Sequence, residues 1–105
     1  MAQFDVYKNT NRETRKAFPF LLDVQSDLIG SLATRVVVPC CPASRMDDEG
    51  IEGLTPIFEI AGDRHIVLTP QLAGISRSEL GTKIANLVHC REAIMAALDL
   101  LITGI

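Results

Sequence analysis

The chain has little net charge, no long apolar run and no recognisable catalytic signature. Its 105 residues set 10 Lys and Arg against 13 Asp and Glu, a formal charge of -3. That leaves no general field to draw in nucleic acid or an anionic membrane, so the expected partner is a protein. No stretch reaches the roughly 20 apolar residues that span a bilayer. The opening residues 1–7 alternate Phe and Val with Gln and Asp and lack the apolar heart of a secretory signal, so the expected compartment is the cytoplasm. Cysteine is scarce and odd in number, at 3. The adjacent Cys40 and Cys41 are badly placed to bridge each other, so reduced thiols are expected. There is no Cys-x-x-Cys pair, glycine-rich phosphate loop, G-x-S-x-G elbow or H-E-x-x-H, and no internal repeat or low-complexity tract.

What is present is a composition of 48% hydrophobic and 22% charged residues, which excludes a disordered tail. A chain this long is expected to form one domain over residues 1–105 and bury on the order of 65% of its unfolded surface. Phe4 and Val6 alternate with Gln3, Asp5 and Tyr7, and Phe18, Phe20, Leu22 and Val24 alternate with Pro19, Leu21, Asp23 and Gln25. That period predicts two strands. Between them KNTNRETRK, residues 8–16, holds Lys8, Arg12, Arg15 and Lys16 against Glu13 and predicts a solvated, mobile basic loop that suits an acidic partner. Arg35-Val36-Val37-Val38 predicts a strand covered on both faces and stopped by Pro39. Residues 40–55, with Pro42, Gly50, Gly53 and the acidic Asp47, Asp48, Glu49 and Glu52, predict a long loop.

Strands are predicted over Ile57–Ile60 and 65–69, around a hairpin turn whose permissive backbone comes from Gly62 and Asp63. An extended piece at 72–75 follows, then a Ser76-Arg77-Ser78-Glu79 turn that opens a short helical segment bent at Gly81. Leu87, Ile94, Leu98 and Leu101 recur at helical spacing, Met95 and Ile102 widen the stripe, and three alanines favour helix, so about four turns of α-helix are predicted. From Ile94 to Ile102 only Asp99 is charged. Such a helix cannot hide all its faces on one small sheet, and a second copy of the chain is the simplest cover.

Chemistry-bearing residues form no compelling set. Cys40, Cys41, Cys90, His65 and His89 are the metal-ligand types, but neighbours on a strand diverge to opposite faces, and buried, inert cysteines are the favoured reading, with no metal and no cofactor. A metal-free ribonuclease would recruit an arginine with a carboxylate or histidine, here Arg12, Arg15, Arg64, His65 and Glu79, which are otherwise ordinary solvated charges. Val24-Gln25-Ser26-Asp27-Leu28 reads as a strand end in which Ser26 and Asp27 bond the local backbone.

Four marks in order, the QFDVY strand, DVQSDLI at 23–29, TRVVVP at 34–39 and a C-terminal helix ending in Gly104-Ile105, make the sequence resemble the CcdB family of bacterial toxin–antitoxin toxins. The resemblance implies a mostly β fold, an SH3-like antiparallel barrel with a small added sheet and a C-terminal helix, assembled as a homodimer. It implies a poison of DNA gyrase with no catalytic residues of its own, one that binds the A subunit and traps the enzyme on cleaved DNA. It also implies neutralisation by a CcdA-like antitoxin, with operator DNA bound only through the toxin–antitoxin complex. Carried over by position, the gyrase-facing residues are Ser26, Ile29, Asp99, Thr103, Gly104 and Ile105, and the antitoxin-facing ones Arg12, Arg15, Ser26, Asp27 and Asp99.

The chain departs from the family pattern at named positions. Thr103 stands where an aromatic is familiar, Asp99 where an Asn is, Arg91 where a Glu is, and the loop at 8–16 is longer than in plasmid toxins. Loss of an aromatic anchor implies altered gyrase affinity or target. The alternative function is an mRNA-cleaving toxin of the MazF and Kid type, which shares the fold.

Overall fold

The computed structural model describes residues 2–45 and 50–104; the Asp47, Asp48 and Glu49 part of the expected loop, and Ile105, lie outside them. Seven strands, β1 (Asp5–Asn9), β2 (Phe20–Asp23), β3 (Thr34–Pro42), β4 (Ile57–Ile60), β5 (Asp63–Val67), β6 (Ala73–Ser76) and β7 (Leu80–Asn86), precede one helix, α1 (Arg91–Thr103). They form one curled antiparallel sheet in the order β4-β5-β3-β2-β1-β7, with β6 also on β3. The mostly β architecture with a barrel-like sheet and a C-terminal helix matches the expected fold class, but the expected small added sheet is not separate among the described residues: the β4–β5 hairpin joins the same sheet through β3.

β3 organises the sheet. One edge pairs β2 over residues 37–40, and the other is shared by β6 along 34–37 and β5 along 40–42. Pro39 therefore does not stop the strand. Its carbonyl accepts from the Leu68 N–H at 2.9 Å, which places its backbone polar groups on the shared edge. At that point the chain between β5 and β6 turns away through a 3-10 turn at Thr69–Gln71, so the missing N–H falls where no ladder runs. The expected long loop is shorter too, since β3 continues to Pro42 and a 3-10 turn follows at Ala43–Arg45.

Alternation along the strands gives the sheet two different faces. One face holds the main apolar core of Phe4, Val6, Leu22, Val24, Val38, Cys40, Ile60 and Val67, closed by Leu87 and by Ile94 of α1. The other carries Arg35, Val37, Pro39 and Cys41 along β3. Cys41 joins Ala43, Ile66 and Leu68 in a smaller apolar cluster, whereas the Arg35 end is ionic.

Three further expectations need correction. The segment after Ser76 is not helical beyond the 3-10 turn Arg77–Glu79; it becomes β7, paired to β1 with two register shifts. A side chain at Gly81 would put Cβ 2.9 Å from the Lys8 carbonyl oxygen, so this glycine permits close strand approach and does not bend a helix. In the β4–β5 hairpin the positive φ values belong to Ala61 (54°) and Gly62 (88°), the pattern of a two-residue type I′ turn, and Asp63 is already in β5. α1 begins at Arg91, and Leu87 reaches the core from just before it, through a 3-10 turn at Val88–Cys90. Phe4 is also held at φ 73° while buried, tied by its N–H to the Asp23 carbonyl and by its carbonyl to the Leu87 N–H. The Arg91 guanidinium lies 5.7 Å above its ring, a cation–π contact for the residue that replaces the familiar Glu.

Candidate functional site

The chain leaves β2 at Val24 and makes a compact turn before β3, with a 3-10 segment at Asp27–Ile29. Ser26 Oγ accepts from the Leu28 N–H at 3.2 Å, the local bond expected of it. Asp27 does something the sequence did not disclose: its Oδ1 accepts from the Gln3 N–H at 2.8 Å, tying the turn to the N-terminal segment. On the far side Arg77 Nη1 donates to the Gly30 and Leu32 carbonyls at 3.3 and 3.4 Å. So held, the turn exposes Leu28 (96%), Ile29 (49%) and Leu32 (48%). Leu28 was missed among the candidate residues; a leucine between Asp27 and Ile29 carries no sequence signal that it faces outward.

Beneath the turn lies a buried ionic network. Arg35 Nε donates to Asp23 Oδ2 at 2.8 Å, and Nη2 approaches the same oxygen at 2.7 Å, both side chains being fully buried. Among the described residues Nη1 has no hydrogen-bond acceptor, and Nη2 has none beyond its ion-pair contact with Asp23. Burial pushes the Asp23 carboxyl above the usual carboxylate range, against the opposing pull of Arg35 and the Gln25 N–H. Asp5, also buried, accepts from the Ala2 N–H, Tyr7 Oη, Asn86 Nδ2 and Lys83 Nζ. Burial alone would raise its carboxyl, but these bonds outweigh it and hold Asp5 below the ordinary value. Tyr7 is pushed up to about 12 by burial and by Asp5.

The C-terminal end of α1 is built differently. Asp99, Ile102, Thr103 and Gly104 are exposed, Ile102 at 74%. Thr103 Oγ1 donates to the Asp99 carbonyl one turn back at 2.6 Å. Gly104 caps the helix at φ 73°, donating its N–H to the Leu100 carbonyl at 3.0 Å, the left-handed ending that glycine favours. The candidate residues thus fall into two groups: Ser26, Asp27 and Ile29 on the turn, and Asp99, Thr103 and Gly104 on the helix. The turn's hydrogen bonds run to β2, β3, the N-terminal segment and Arg77, whereas the Thr103–Asp99 and Gly104–Leu100 bonds of the helix end run along the helix.

Arg12 and Arg15 form a third group on the exposed loop after β1. The expected mobile loop is instead braced from within. Asn9 Nδ2 donates to Thr14 Oγ1 and the Phe18 carbonyl at 3.0 and 2.9 Å, and Asn9 Oδ1 accepts from the Asn11 N–H at 3.0 Å. Beside the loop is an apolar pocket of about 210 Å³ floored by Phe18, Leu21, Val37, Pro39, Ala73 and Ile75.

The residues weighed for chemistry do not gather. Cys40 lies in the main core and Cys41 in the smaller cluster on the opposite face, as strand alternation predicts, and burial raises the thiols of Cys40 (to about 12), Cys41 and Cys90. His65 is buried with its ring centroid 5.0 Å from that of Phe20, while Glu79 borders the apolar pocket, whose lining includes neither Arg12 nor Arg15, and Arg64 and His65 line a separate hollow with Pro42 and Gly62. No group of three metal-ligating side chains occurs among the described residues, and no helix there is long and apolar enough to cross a membrane.

The family model described as CcdB protein matches residues 3–104. The chain belongs to the CcdB family. It is therefore a toxin of a toxin–antitoxin system, in a family of gyrase poisons that are not catalytic enzymes as such.

Proposed function

We propose that this protein acts as a homodimer that binds the A subunit of DNA gyrase and traps the gyrase-cleaved DNA complex. A CcdA-like antitoxin neutralises it, and the two together bind operator DNA and co-repress their operon. CcdB family membership over residues 3–104 carries the reading. The exposed apolar side chains support it: Leu28, Ile29 and Leu32 on the turn and Ile102 on α1 are the kind of surface a protein partner covers. Ser26, Ile29, Asp99, Thr103, Gly104 and Ile105 form the gyrase-facing set, to which Leu28 is added, and a dimer axis near the helix end brings both copies' sets together.

For the antitoxin, Arg12 and Arg15 beside the apolar pocket suit a segment that is both acidic and apolar, with Ser26, Asp27 and Asp99 also in contact. The basic loop steers the segment and the pocket holds it. Competition between antitoxin and gyrase then follows from their shared residues, Ser26 and Asp99. No membrane and no cofactor enter this scheme, and its place is the cytoplasm, where gyrase works.

The test is to add the purified protein to gyrase with supercoiled plasmid and, in parallel, to a long RNA. ATP-dependent linear DNA with intact RNA is the expected result. Cut RNA without linear DNA would replace this reading with the ribonuclease one; neither product would mean a chain that folds but no longer poisons. Removing Gly104 and Ile105 should abolish linearisation while antitoxin binding persists.

A further inference from the structure

We propose that Gln25 is the positioning residue of the exposed turn: its buried side-chain amide carries the β2–β3 ladder over to the turn and fixes the direction of Leu28 and Ile29. The regular β2–β3 pairing ends at Asp23 opposite Val37. One bond further, the Val24 N–H still reaches the Val36 carbonyl at 3.0 Å, and a regular ladder would return the Val36 N–H to the Val24 carbonyl. It does not. The Val24 carbonyl accepts from Gln3 Nε2 at 3.1 Å, and the Val36 N–H goes to Gln25 Oε1 at 3.1 Å. The other end of the same amide, Nε2, donates to the Ile29 carbonyl at 2.8 Å.

One planar group therefore replaces a ladder rung and grips the last residue of the 3-10 segment. Gln25 is only 4% exposed, and its own N–H is held by Asp23 Oδ1 at 3.0 Å, so the amide hangs from the Asp23–Arg35 pair. A glutamine amide offers a donor and an acceptor at once without a charge, and asparagine carries the same pair on a side chain one methylene shorter. A carboxylate at position 25 keeps the acceptor for Val36 but loses the donor to Ile29; a protonated carboxyl recovers it. The charged groups around this side chain are Asp23 and Arg35 from the sheet, Asp27 on the turn and Arg77 beyond it; they are common to all variants compared.

The turn's order is itself the readout, by ¹⁵N relaxation of residues 26–32 in the full chain, on wild type, Gln25→Met and Gln25→Glu at one pH below and one above the titration midpoint of the introduced carboxyl, which its ¹³C shift locates. Order parameters near ~0.85 report a rigid backbone and values under ~0.6 a flexible one. The wild type should be rigid at both pH values and Gln25→Met flexible at both. Gln25→Glu should be rigid below that midpoint and flexible above it, a rescue that no general loss of packing produces. A rigid turn in Gln25→Met, or a Gln25→Glu turn indifferent to pH, would overturn the proposal. Only the functional consequence rests on the gyrase reading: Gln25→Met should bind gyrase at least tenfold more weakly. A loosened turn with unchanged gyrase affinity would leave the positioning role standing and remove the turn from the gyrase-facing surface.

Discussion

The turn at 26–32 and the last turn of α1 both hold apolar side chains out to solvent, but they are supported in opposite ways. The turn is irregular backbone, so side chains fix it: Ser26, Asp27, Gln25 and Arg77 each take a backbone group, and the buried Asp23–Arg35 pair anchors the Gln25 N–H. The helix end needs no such help, because its own ladder sets its direction and a single glycine ends it. Changes deep in the sheet should therefore disturb the turn and spare the helix, whereas only a change of backbone preference should disturb the helix end.

Breaking the ion pair is the harshest test of that contrast. Arg35→Met leaves Asp23 buried without its partner and should cost about 3–5 kcal/mol, seen as a lower denaturation midpoint. The double variant Asp23→Leu/Arg35→Met should recover most of that loss, since apolar pairs of similar size often replace buried ion pairs, and here Nη1 has no acceptor among the described residues. Its turn should nevertheless stay loose, because the anchor for the Gln25 N–H is gone. If both variants keep a rigid turn, the contrast between the two regions fails.

Acid probes the same buried face. Asp5 titrates below its unfolded value of 3.8, so the unfolded chain binds more protons in that window. Its contribution to stability is complete above pH 3.8 and is lost as pH falls through the folded pKa. Asp23 runs the other way: its raised pKa means that stability falls as pH rises from 3.8 through the folded value. Denaturant titrations of Asp5→Asn should show a flatter fall in stability below pH 3.8 than the wild type, and a parallel fall would remove Asp5 from the acid response.

The two regions also differ in how far the sequence discloses them. The helix end was legible, since 3.6-residue periodicity, alanines and a closing glycine are local signals. Its one inaccuracy, Leu87, is a core residue placed before the helix by a 3-10 turn. The turn was legible only in part. Ser26 bonds within two residues, as a serine at a strand end is expected to, but Asp27 reaches Gln3 and Asp23 reaches Arg35, 24 and 12 positions away. Nothing in a list of charges says which of them meet across strands. β7 was hidden for a related reason: two register shifts against β1 destroy the alternation that marks a strand, and Gly81, an ordinary breaker on paper, is where β1 comes close.

On the helix, Thr103→Trp restores the aromatic familiar in the family at an exposed position. If the end faces gyrase, affinity should rise by about tenfold, or roughly 1.4 kcal/mol, as an aromatic anchor fills an interface pocket. Fold stability should move by less than about 0.5 kcal/mol, because Thr103 is at the surface. Binding assays with the isolated gyrase A subunit, alongside thermal melts, separate the two effects. A gain in neither would place the gyrase-facing surface elsewhere.

The last variant, Gly104→Ala, acts on stability through the backbone alone. Among the described residues no atom beyond its chain neighbours lies within 4 Å of where the new Cβ would stand, so the backbone at φ 73° carries the penalty, about 1 kcal/mol. The chain can relieve even that by giving up the single bond from the Gly104 N–H to the Leu100 carbonyl. Relief redirects whatever follows residue 104, so gyrase binding should fall more than stability does. Gly104→Asn should behave better on both counts, since asparagine tolerates the left-handed region. If alanine and asparagine weaken gyrase binding equally, the left-handed ending is not what directs the helix end toward its partner, and the two regions are more alike in construction than their hydrogen bonds indicate.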